Sequence, residues 1–151
     1  MRGLLARVML LSVIFAGVAW MTIADPTPAG AAASCTGGSV YYNQLGWPVA
    51  VPTIGSNTHN DNCELGVGNT SNGVRALQIT LNGCYGQHLA LDGIYGPLTR
   101  AAVVYAQRHS GDPVVDGIYG PQTGFYLRWV TFVTGYFGNP GTCARLPFIV
   151  I

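Results

Sequence analysis

The chain is 151 residues long, 49% hydrophobic and only 9% charged, with a formal net charge of +1. That balance excludes partners held by bulk electrostatics, because nucleic-acid and anionic-membrane binders carry a basic excess. One domain is the default at this size, and four cysteines in so short a chain point to an oxidising compartment.

The first predicted element is a leader. Arg2 and Arg7 make a basic start, Val8 to Ala24 runs 17 residues without a charge, and small residues reach Ala31-Ala32-Ala33. This is the pattern of a secretory signal over residues 1–33. Cleavage would leave Ser34 to Ile151, 118 residues with five Arg, no Lys and five acidic residues, formally neutral. A run of 17 apolar residues is also the lower edge of a membrane span, so a retained anchor stays open. Lipid attachment at Cys35 lacks support: Ala32-Ala33-Ser34 offers no large aliphatic residue, and Pro26 and Pro28 intervene.

Residues 34–73 are rich in Gly, Asn, Thr, Val and Tyr, with Pro48 and Pro52 punctuating short runs such as Ser39–Tyr42 and Pro48–Val51. They read as an irregular N-terminal cap with extended runs, a hairpin among the options. Asn69-Thr70-Ser71 has the form of a glycosylation sequon.

From residue 74 to 134 the period is helical. Val74, Leu77, Gln78 and Leu81 form the stripe of a first helix, with Ser71 or Asn72 as N-cap and Gly83 as stop. A second helix opens at Gly96-Pro97, with a stripe of Leu98, Ala101, Ala102, Tyr105 and His109. A third opens at Gly120-Pro121, with Phe125, Trp129, Phe132 and Val133 in line. Proline suits both helix starts, because its missing N–H would be unpaired at the first helical position anyway. Residues 135–151 form an irregular tail whose end, Leu146 to Ile151, is apolar and wants burial. Leu146-Pro147-Phe148 lacks the Thr-Gly of a wall-sorting signal, so covalent wall attachment is not expected.

Cys35, Cys63, Cys84 and Cys143 read as two disulfides with three possible pairings. Cys63–Cys84 around the first helix, with Cys35–Cys143 clipping the ends, is the preferred one. Closing the shorter of these loops contributes on the order of 3 kcal/mol where a crosslink acts by restricting the unfolded chain.

The most informative feature is an internal repeat: Asp92-Gly93-Ile94-Tyr95-Gly96-Pro97-Leu98-Thr99 returns as Asp116-Gly117-Ile118-Tyr119-Gly120-Pro121-Gln122-Thr123. Asp can bond its own backbone in a turn, Gly supplies positive φ, Ile and Tyr are expected to point inward, and Gly-Pro starts a helix. The repeat therefore builds two equivalent turn-helix units.

With Val74–Gln78, Leu81-Asn82, Gly86, Arg100–Val103, Gln107 and Leu127, these motifs make residues 74–127 resemble a peptidoglycan-binding domain of the three-helix type found beside cell-wall hydrolases. The resemblance implies a mainly α fold, a small three-helix bundle, that binds peptidoglycan without cutting it. The chain departs from the pattern at Ala106, where members usually carry an aromatic residue before the Gln of the second helix and this chain has Tyr105 one place earlier. The link from Gly111 to Asp116 is also a residue longer.

The resemblance implies that the two turns, including Gly96, Pro97, Thr99, Gly120, Pro121 and Thr123, are scaffold. A wall ligand presents sugar rings, which lie on aromatic faces, and carboxylates, which suit the fork of Arg. Candidate contacts are Arg100, Arg108, Tyr85, Tyr95, Tyr119 and Tyr126. A hydrolase would need a carboxylate pair, a nucleophile with its base, or a metal cluster. Asp61 and Glu64 could form a carboxylate pair, and His59 and Asp61 with His88 or His109 could supply metal ligands, but no ligand spacing of known mechanics is present, so no enzyme, cofactor or metal is expected. Two rivals to a secreted, wall-associated binding monomer stay open: a small hydrolase using His59, Asp61 and Glu64, and a protein-interaction or inhibitor module offering Tyr41, Tyr42 and Trp47. Nucleic acid and membrane are not expected partners.

Overall fold

A computed structural model of the chain describes residues 32–42, 46–132 and 140–145. Apart from Ala32 and Ala33, the expected leader lies outside these residues, as do Val133 and the apolar end from Leu146 to Ile151. The elements in chain order are β1 (Gly37–Tyr42), β2 (Pro48–Thr53), α1 (Asn72–Tyr85), α2 (Pro97–Ser110), α3 (Pro121–Tyr126), β3 (Arg128–Phe132) and β4 (Pro140–Arg145). Among the described residues no helix is long and apolar enough to cross a membrane.

The expected mainly α class is corrected: three helices share the fold with an antiparallel sheet of order β1-β2-β3-β4. The 34–73 cap supplies its first hairpin, with Val40 opposite Ala50 and Tyr41 opposite Val49. Val49 also stands opposite Thr131, and Val130 opposite Cys143, so residues on both sides of the helices meet in one sheet. The third helix stops after six residues. Leu127 is extended, at φ −63° and ψ 149°, and Trp129 to Phe132 continue as strand. A Trp-Val-Thr-Phe run is rich in β-branched and aromatic residues, and sheet pairing prevails over a helical spacing that fits the same side chains.

The first helix begins as expected: the Ser71 hydroxyl accepts the Val74 N–H at 3.2 Å. It runs through Gly83 and ends at Gly86, which takes the left-handed φ of 64°. Gly83 costs about 1 kcal/mol inside a helix. The last turn is held despite it, by the Cys84–Cys143 disulfide and by Tyr85, whose hydroxyl accepts the Arg128 N–H at 2.6 Å.

The stripe expected to bury α2 is mostly its outer face. Leu98 is 77% and Tyr105 42% exposed, whereas Thr99, Ala102, Val103, Ala106 and Gln107 face inward. Ala106 is fully buried in the core with Leu77, Leu81, Tyr95, Tyr119 and Trp129.

The disulfides join Cys35 to Cys63 and Cys84 to Cys143, not the preferred pairs. A 14-residue helix such as α1 is about 21 Å long. Cys84, in its last turn, meets Cys143 on β4 with Cα atoms 5.6 Å apart, within the separation of about 4–7 Å a disulfide needs, and so is not free for Cys63. Backbone pairing of Cys35 N–H with Glu64 C=O instead brings Cys35 beside Cys63, with Cα atoms 5.1 Å apart.

Candidate functional site

Each repeated turn is locked by one buried glutamine. Gln78 Nε2 lies 2.8 Å from Asp92 Oδ1, 3.1 Å from Ile94 O and 3.4 Å from Thr99 Oγ1, while its Oε1 accepts the Gly93 N–H at 3.0 Å. Gln107 makes the same set with Asp116 (3.2 Å), Ile118 (3.0 Å), Thr123 (3.1 Å) and Gly117 (2.9 Å). Asp92 and Asp116 close their turns by accepting the N–H two residues on, and Gly93 and Gly117 both sit at φ +73°. The Gln78 amide, then the Ile94 N–H, stabilise the Asp92 carboxylate and hold its pKa below the ordinary 3.8.

The turns are also tied to each other. The Tyr95 hydroxyl donates to Gly117 O at 2.9 Å, and Arg100 Nη2 donates to Asp116 O at 2.7 Å. Residues 65–71 pair with both turns: Leu65 exchanges bonds with Tyr119 at 2.8 and 2.9 Å, and Ser71 N–H reaches Gly93 O at 2.9 Å. The Asn69 side chain is part of this knot, accepting the Gly66 N–H and donating to the Ser34 hydroxyl. Asp112 sits in the lengthened link between α2 and the second turn. It is buried, and accepts from Val114 N–H, the Gln122 amide and the Thr123 hydroxyl.

The candidate contacts divide accordingly. Tyr95 and Tyr119 are 0% and 1% exposed, and burial raises both phenols above the ordinary value of 10. They offer no face to a ligand. Tyr85 is half-buried and bridges α1 to Arg128 and to the Ser110 hydroxyl, 2.6 Å away. Tyr126 is half-buried, edge-on to Phe125 at 5.3 Å. Arg100 is exposed but spent on the second turn, and Arg108 is exposed on α2. Ile94 and Ile118, expected to point inward, are 50% and 43% exposed, because the neighbouring tyrosines take the interior. Gly96 and Gly120 are the extended N-caps of α2 and α3, with Pro97 and Pro121 in the first turns.

His59, Asp61 and Glu64 all lie between β2 and α1 and differ in their contacts. His59 Nε2 lies 3.2 Å from Val40 O and its ring is edge-on to Tyr41 at 5.0 Å. Glu64 pairs through its backbone with Ala33 and Cys35, and lies against Gly120. Among the described residues no group of three His, Cys, Asp or Glu could hold a metal ion. Tyr41 packs on the core with a buried hydroxyl, and burial, then the Asp61 charge, pushes its pKa up to about 12.

Two features went unread in the sequence. Gln78, on the stripe of the first helix, and Gln107, among the residues that carry the family resemblance, are legible by position but not by partner. On the outer face of α2, Tyr105 stacks on His109 with centroids 3.8 Å apart and Arg108 exposed between them in the chain. A ring platform beside a guanidinium is the surface that a sugar or a carboxylate would meet.

A protein-family model described as "Putative peptidoglycan binding domain" matches residues 70–124. Among solved structures, the chain is similar to a peptidoglycan-binding protein from Clostridioides difficile in complex with glutamine hydroxamate, at 30% identity and a TM-score of 0.42. That match covers 57% of this chain and 53% of the other, so the chain spans about half of that protein's length. No curated protein matches. The matched residues 70–124 run from the strand bridge ahead of α1 to the second locked turn and its helix, and over this segment the chain is similar to that family.

Proposed function

We propose that the protein is a secreted, non-catalytic module that holds peptidoglycan. The family match over residues 70–124, whose two Gln-locked turns are intact, carries this reading. Two disulfides support an oxidising, extracellular setting at the cell wall, and the leader pattern over residues 1–33 supports export. Because the tyrosines of the turns are buried, contact falls to exposed groups, of which Tyr105, Arg108 and His109 on α2 are the best placed.

Co-sedimentation of the oxidised protein with insoluble peptidoglycan over a range of salt tests the reading. Binding that survives moderate salt is expected, since the charge is near neutral and little of the affinity can be screened. Protein that stays in the supernatant at every salt concentration contradicts it.

A further inference from the structure

A groove of about 760 Å³ lies between α1 and the sheet. Its helix wall carries Arg75, Ala76 and Ile79, neighbours at helical spacing. Its sheet wall is a cross-strand row. Val40 stands opposite Ala50, and the register that places Val49 opposite Thr131 puts Ala50 beside Val130. Val130 in turn faces Cys143, whose disulfide to Cys84 ties the sheet wall to the end of the helix wall. The sheet residues lie outside 70–124, so this groove is not a property of the matched domain alone.

The chemistry of the lining is uneven. Its apolar part is mostly aliphatic, with Val40, Ala50, Ala76, Ile79 and Val130, and includes one aromatic residue, Phe132. Among the described residues Arg75, which is exposed, is the one charged residue lining it, and Asp92 shares with Arg75 only the smaller adjoining pocket. Asn72 and Asn57 add amides at the rim, and Asn57 holds a left-handed φ of 59° there. A short extended peptide fits: its carboxylate suits the guanidinium fork, its small side chains the aliphatic row, and its backbone the amides.

We propose that this groove binds a short peptide with a free carboxylate and small apolar side chains, in this protein the stem peptide of peptidoglycan. The identification of the stem peptide rests on the wall-binding reading above.

The test is an NMR titration of the isotope-labelled, oxidised protein with a soluble stem pentapeptide, and in parallel with peptide-free glycan. Saturable shifts confined to the α1 residues from Asn72 to Gly83 and to Val40, Ala50 and Val130 are expected with the peptide only. Arg75→Gln should weaken the peptide roughly fivefold, as should amidating its carboxylates. Ala50→Phe, which fills the groove, should abolish it while the circular dichroism stays that of the parent. Absent shifts, shifts elsewhere, or binding indifferent to Arg75→Gln and Ala50→Phe overturn the proposal. If the parent and both variants still pellet with insoluble peptidoglycan while the groove takes no peptide, the groove assignment fails and wall binding stands. If the peptide saturates the groove and nothing pellets with the wall, the reverse holds.

Discussion

Gln78 and Gln107 sit on different helices yet hold their turns by the same bonds, each donating to an Asp, an Ile carbonyl and a Thr and accepting a Gly N–H. Both side chains are 1% exposed, and the Gly N–H and Thr hydroxyl each one meets are buried with it, although the Asp partners are exposed. Replacing either by Ala leaves buried donors and acceptors unpaired, and should cost about 2–4 kcal/mol in urea unfolding of the oxidised protein. Gln→Glu at either position should be at least as costly at neutral pH, because a carboxylate cannot donate to the facing Asp.

The Asp92 carboxyl gives a pH signature. Its pKa is lowered in the fold, so its contribution is present above the ordinary 3.8 and lost as pH falls through the lower folded value. Carbon-detected NMR should show Asp92 titrating below 3.8 in the parent and at a higher pH in Gln78→Met than in the parent. An unchanged Asp92 in that variant would remove Gln78 as the cause.

At the alkaline end three tyrosines act the other way. Tyr41, pushed up to about 12, and Tyr95 and Tyr119, raised further by burial, keep their protons in the fold after unfolded tyrosine would lose them. Their contribution is complete below pH 10 and declines as pH rises from there toward the folded values. Ultraviolet titration should leave these three of the eight tyrosines protonated at about pH 11 and release them together on unfolding.

The two repeat glycines share a φ of +73° but not their surroundings. A Cβ on Gly93 would meet the Ser71 carbonyl at 2.9 Å, rigid backbone at the helix cap, whereas on Gly117 it would meet Arg100 Cγ at 2.8 Å and Val104 Cγ2 at 2.9 Å, side chains that can move. Both Ala variants carry the cost of positive φ, about 1 kcal/mol or more, and Gly93→Ala should be the worse. Equal melting temperatures would mean that backbone conformation alone sets the cost.

The disulfides should differ in reactivity. Cys35 and Cys63 are fully buried, while Cys84 and Cys143 are partly exposed. Graded reduction with thiol trapping should label Cys84 and Cys143 first. On the chain-entropy model each bridge contributes about 4 kcal/mol, for loops of 28 and 59 residues.

Local signals were legible in the sequence, and long-range pairing was not. Ser71 as a cap, the Gly-Pro helix starts and the duplicated turn all depend on a few adjacent residues. The strand Arg128–Phe132 was obscured because Phe125, Trp129 and Phe132 also fit a helical spacing, and only pairing with Val49 and Cys143 decides between them. The α2 stripe misled because its inner face holds Thr99, Ala106 and Gln107, small or polar residues that a hydrophobic pattern discounts. The groove beside Arg75 needs three strands in register, which no linear motif encodes.

The central claim is that peptidoglycan is held and not cut. The most direct test incubates the oxidised protein with purified insoluble peptidoglycan, then measures protein in the pellet and muropeptides in the supernatant of the same tube. Protein in the pellet with no soluble muropeptide above the protein-free control is the predicted result. Release of muropeptides, or protein remaining in the supernatant, would contradict it.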